Sequence, residues 1–64
     1  MRFINKFADK VYKYIYIHDG QTILLKDMAK ETGICDTTCR KYIRWLEKRE
    51  YIKKNGKHFE ILPD

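Results

Sequence analysis

In the stretch "ETGICDTTCRKYIR", residues 31–44, Cys35 and Cys39 stand four residues apart. Two thiols at that spacing approach half of a zinc site, and His18 and His58 would complete a Cys₂His₂ set. The histidines fall one in a turn and one in a hairpin, with no helical spacing to bring them together, so no metal is assigned. A disulfide between Cys35 and Cys39 would have to span one helical turn, where the Cα separation is permissible but the Cβ directions are poor. What remains is thiol chemistry. Cys35, near a helix N-terminus, would carry a lowered pKa and be open to oxidation, which keeps Cys35 and Cys39 as candidate redox residues. The plainer reading has Cys39 packing as a small apolar core residue and Cys35 lying in a turn.

Catalysis finds little support. No acidic and basic groups are paired for proton transfer, and a chain of 64 residues leaves little room for a substrate cavity. The chain is read as not an enzyme, with no cofactor and no small-molecule substrate.

The charge is more informative than the thiols. The formal net charge is +5, and residues 36–58 carry eight Lys and Arg against three Asp and Glu. Residues 1–35 hold six against four, and residues 59–64 hold only Glu60 and Asp64. A basic segment on a small domain is the electrostatic footprint of a polyanion binder, although lysines also serve solubility. No apolar run nears the roughly 18 residues of a membrane span, and charges interrupt residues 1–17 too often for a signal peptide. An intracellular, cytoplasmic protein is expected, either associated with the nucleoid or in the host cytoplasm if viral. It has no membrane partner.

The elements that would position this charge follow from hydrophobic periodicity. In "MRFINKFADKVYKYIYI", Phe3, Ile4, Phe7, Val11, Tyr14 and Ile15 recur at three and four residue steps, one face of a helix. That face leaves Tyr12 and Tyr16 opposite, either as exposed aromatics suited to a subunit interface, the favoured reading, or lying over the third helix or the wing. Asp19 and Gly20 supply the stop, and "TILL" suits a brief β-bridge or a lead-in to the next helix. Leu25, Met28 and Ala29 mark a short second helix, with Gly33 just past its end. A third helix opens near Asp36, whose carboxylate suits an N-cap or the positive end of the helix dipole. Cys39, Tyr42, Ile43 and Leu46 recur along its core side.

In "YIKKNGKHFEIL" the period changes from 3.6 to 2, around Asn55 and Gly56. A two-residue type I′ loop at those positions sets Lys54 opposite Lys57, Lys53 opposite His58, Ile52 opposite Phe59 and Tyr51 opposite Glu60. Ile52, Phe59 and Ile61 then share the packing face, Lys53 and His58 point outward, and Lys54 and Lys57 lie at the tip.

Helix, short strand, helix, tight turn, helix and basic hairpin resembles a winged helix-turn-helix domain. The resemblance is carried by Ala29, by Gly33 four positions later, by "TCRKYIRWLE" as the second helix of the motif, and by "REYIKKNGKHFEI" as the wing. It covers residues 22–62. The sequence departs from the family pattern at Cys35, where Ser or Thr is usual, at Cys39, where a β-branched aliphatic is usual, and at Glu50, where Gly is frequent. The resemblance implies a fold that is α+β and mainly α: three helices and a C-terminal two-stranded wing in a single domain over residues 1–64. Helix one would span about 2–17, helix two about 25–32, the recognition helix about 36–49 and the wing about 51–62.

With Cys39, Ile43 and Leu46 facing inward, 100° per residue centres the outer face of the third helix on Thr37, Lys41, Arg44 and Lys48. Thr38, Arg40 and Trp45 flank it. The resemblance implies that this face reads the major groove of double-stranded DNA, while Lys53, Lys54, Asn55, Lys57 and His58 of the wing meet phosphates or the minor groove. The expected protein is a small transcriptional regulator, acting as a repressor by occlusion. It would work as a homodimer through Tyr12 and Tyr16, on half-sites ~34 Å apart. Stand-alone winged helices of this sort occur in archaea, their viruses, plasmids and phages. Two rivals are a winged helix that binds another protein, and one that binds RNA.

Overall fold

The computed structural model describes residues 5–63, so the expected core positions Phe3 and Ile4 lie outside the described residues. Helix α1 spans Lys6–Ile17, α2 spans Leu25–Thr32 and α3 spans Asp36–Lys48. Strands β1 (Ile52–Asn55) and β2 (His58–Ile61) form an antiparallel hairpin. This is the mainly helical α+β order expected, three helices and then a wing-like hairpin.

Each helix boundary has a chemical cause. Asn5 has extended backbone, and its side-chain oxygen accepts from the N–H groups of Phe7 and Ala8 at 2.8 and 3.2 Å. It is therefore the N-cap, and α1 begins at Lys6 instead of near residue 2. Helix α2 ends at Gly33, whose φ of 74° is left-handed and whose N–H returns to the Ala29 carbonyl. Helix α3 begins after an extended Cys35, so Asp36 lies in the first turn and acts on the helix dipole, not as the cap. The tight corner between α2 and α3 is locked by Thr32, whose hydroxyl donates to the Met28 carbonyl at 2.7 Å and accepts from Ile34 N–H at 3.3 Å. Ile34 is thereby pushed into the core.

The core contains Ala8, Val11, Tyr12 and Ile15 from α1, Met28 from α2, Cys39 and Leu46 from α3, and Ile52 and Phe59 from the hairpin. Fully burying a side chain of the size of Ile15, Met28 or Leu46 contributes about 1.5–3 kcal/mol. The buried stripe of α1 is rotated from the expected one. Phe7 is 48% exposed and rests on Tyr42, whereas Tyr12 is only 7% exposed. The cause is the hairpin: its lead-in residue Tyr51 packs edge-on against Tyr12, which covers that side of α1. The expectation of two exposed tyrosines is thus corrected, because Tyr12 belongs to the core and only Tyr16 faces solvent.

The hairpin register also differs from expectation. Ile52 pairs with Ile61, Lys53 with Glu60, Lys54 with Phe59 and Asn55 with His58, so the loop is Gly56 and Lys57. Gly56 has a φ of 67° and Lys57 does not have a positive φ, which excludes the type I′ turn and fits the pattern with glycine first. The slip is two residues, which preserves side-chain parity. Ile52, Phe59 and Ile61 therefore still share a face, now joined by Lys54. On its other edge β2 is bridged by Thr22 opposite His58, with Ile23 N–H donating to the Lys57 carbonyl at 3.0 Å. The "TILL" segment is the expected brief β-bridge.

Candidate nucleic-acid interface

Helix α3 is 13 residues long, about 20 Å at 1.5 Å per residue. It presents its polar side outward because Cys39 and Leu46 are held in the core. Thr37, Arg40, Lys41, Arg44, Trp45 and Lys48 line one shallow groove on that outer side. Among the described residues, Arg40, Arg44 and Lys48 form no ion pair or side-chain hydrogen bond, and Lys41 lies 5.9 Å from the ring centroid of its neighbour Tyr42. Their charges are directed at solvent.

A second concavity separates α3 from the hairpin. Arg40 and Arg44 stand on its helix side and Lys54 and Lys57 on its hairpin side, with Glu47 also on the rim. Arg40 and Arg44 therefore belong to both depressions, and basic side chains flank the cleft on its α3 side and on its hairpin side.

The other predicted positions separate from this surface. Thr38 is half-buried, with its hydroxyl 3.1 Å from Cys35 Sγ, so it is held against the start of α3 instead of joining the basic face. Lys53 sits on the opposite face of the hairpin, cross-strand from Glu60. Asn55 donates from Nδ2 to Glu60 Oε1 at 3.2 Å, and His58 is half-buried between its strand partners. Of the five wing residues, Lys54 and Lys57 join the α3 surface and Lys53, Asn55 and His58 do not.

Trp45 is placed by its neighbours. It stacks on Tyr51, with centroids 6.5 Å apart and planes at 22°, and the Arg49 guanidinium lies 4.4 Å above its ring. The Arg49–Trp45 contact is an addition to the sequence expectation, readable from the four-residue spacing that brings a cation over an aromatic ring at a helix end.

The thiols are sharply different. Cys39 is fully buried, donating to the Ile34 carbonyl at 3.5 Å, and burial pushes its pKa up. Cys35 is exposed, and hydrogen bonds from the Thr38 hydroxyl and backbone hold its thiol below the usual value. Among the described residues, no three His, Cys, Asp or Glu side chains gather as a metal-holding group. No helix of the described residues is long and apolar enough to cross a membrane.

No family model, curated protein or solved structure matches the chain.

Proposed function

We propose that the chain binds double-stranded DNA as a winged helix-turn-helix transcriptional regulator, inserting α3 into the major groove and laying the hairpin tip along adjacent phosphates. The observation that carries this reading is the set of Arg40, Lys41, Arg44, Lys48, Lys54 and Lys57 along the outer side of α3 and across the adjoining cleft, in which the arginines and the hairpin lysines have no ion-pair partner among the described residues. A helix of about 10–12 Å diameter fits a groove about 12 Å wide. Arginine there bonds guanine edges bidentately, and lysines neutralise phosphates.

Occlusion of a promoter is the simplest mode of action for so small a body, which makes repression the favoured outcome. Tyr16, 62% exposed and ring to ring with buried Tyr12, is the aromatic side chain best placed for a two-fold contact between copies. The domain measures 27 Å across its longer axes, a size comparable with the ~34 Å between half-sites read by a two-fold pair.

The test is fluorescence-anisotropy titration of a random duplex and of the DNA upstream of the protein's own gene, at several salt concentrations. Binding that weakens with salt at a log–log slope of about −3.5 to −5.5 is expected if four to six cations neutralise phosphates. Absence of binding to either duplex at low salt would overturn the reading and leave the protein-binding alternative.

A further inference from the structure

The cleft between α3 and the hairpin combines an apolar floor with a cationic rim. Ile23 and Phe59 form the floor, and half-buried Leu25 and Ile43 leave hydrocarbon facing the opening. Ile43, expected in the core, packs against it but is only partly covered, and it lines the cleft. Backbone polarity at the floor is partly consumed: Ile23 N–H donates to the Lys57 carbonyl, β2 is paired to β1, and Thr22 bridges His58 at the start of its other edge. The cleft encloses about 460 Å³, within the roughly 300–1,000 Å³ of small-molecule sites.

We propose that this cleft binds a small amphipathic organic anion, an aromatic or aliphatic body bearing one carboxylate, sulfonate or phosphate, and that the bound anion competes with DNA. The hydrocarbon body gains by leaving water for Ile23, Leu25, Ile43 and Phe59. The head group meets Arg40, Arg44, Lys54 and Lys57, four cations with no ion-pair partner among the described residues, with arginine offering a bidentate fork. Glu47 is the one carboxylate on the rim, too little to favour a cation. A bare phosphate gains nothing from the floor, and an uncharged hydrocarbon nothing from the rim. Competition follows because Arg40 and Arg44 also line the outer groove of α3. The competition rests on the DNA-binding reading, whereas the ligand site does not.

The test uses 2-naphthalenesulfonate, 2-naphthalenemethanol and inorganic phosphate as probes, followed by NMR on isotope-labelled full-length protein. The sulfonate is expected to give saturable shifts at Ile23, Leu25, Ile43 and Phe59, with binding at least about tenfold weaker for the alcohol and for the exposed double substitution Arg44→Ala with Lys57→Ala. Undisturbed spectral dispersion of that variant confirms its fold. Phosphate is expected to leave the floor resonances unmoved. Shifts centred on Phe7 or Tyr16, no shifts at millimolar sulfonate, or cleft binding indifferent to loss of both cations would overturn the site. Failure of the sulfonate to displace a duplex that the protein binds would overturn the competition. Cleft binding by a protein that binds no duplex would support the site and refute only the DNA reading.

Discussion

Tyr12 of α1 meets Tyr51 at the foot of the hairpin edge-on, with ring centroids 6.3 Å apart and planes at 79°. Tyr51 in turn stacks on Trp45, so one aromatic run joins α1, α3 and the hairpin. The hairpin, which offers only two paired strands of four residues, is anchored to the helices through this run and through Ile52 and Phe59.

Truncation of that run should separate the two tyrosines of α1. Tyr12→Ala is expected to cost about 3 kcal/mol, a large part of the roughly 3–10 kcal/mol typical for this chain length. Tyr16→Ala should change monomer stability by less than about 0.5 kcal/mol while weakening self-association. Urea unfolding at low protein concentration and sedimentation of both variants check this. Equal destabilisation would contradict the burial of Tyr12.

The exit from α3 is strained at one residue. Glu50 has a φ of 60°, the only positive φ at a non-glycine residue among the described positions. Left-handed backbone costs an ordinary residue about 1–2 kcal/mol, and glycine is free of that cost although it loses more chain entropy. Glu50→Gly should therefore raise stability by about 0.5–1 kcal/mol, seen as a rise of a few degrees in Tm. A fall in Tm would mean that the Glu50 side chain makes a stabilising interaction outweighing the strain.

The two thiols should react at very different rates. The Thr38 hydroxyl and backbone stabilise the Cys35 thiolate, so the deprotonated form is populated at lower pH than for an ordinary thiol. Its alkylation by iodoacetamide should rise with pH through a midpoint below the usual thiol value, and Thr38→Val should move that midpoint upward. Cys39, buried and shifted the other way, should react only on unfolding. Mass spectrometry of time points resolves the two sites, and similar rates in the folded protein would contradict the geometry.

The helices were legible because their signals are local. Gly33 terminates α2, and the 3.6 period of α3 placed Thr37, Arg40, Lys41, Arg44 and Lys48 together as found. What escaped depends on partners distant in sequence. The buried side of α1 is chosen by Tyr51, thirty-nine residues beyond Tyr12, and periodicity cannot weigh that contact. The hairpin register escaped because a slip of two keeps Ile52, Phe59 and Ile61 on the same face, so the hydrophobic pattern does not distinguish the two pairings. Asn55 and Gly56 signalled the hairpin correctly, yet the loop begins one residue later, with Asn55 retained in β1 by pairing to His58. Periodicity puts Thr38 on the flank of the outer face of α3, and its contact with Cys35, a matter of turn geometry, holds it away from that face.

The central claim is that α3 reads bases while the hairpin tip holds phosphate, and comparing Arg44→Ala with Lys54→Ala tests it most directly. Binding of both variants to a preferred duplex and to a random one would be measured by anisotropy across a salt series. Arg44→Ala should cost about 1–3 kcal/mol on the preferred sequence and much less on the random one. Lys54→Ala should weaken both alike and make the salt slope shallower by about 0.9. If the two substitutions act identically on every sequence, or if the wild-type protein binds neither duplex at low salt, α3 does not read DNA.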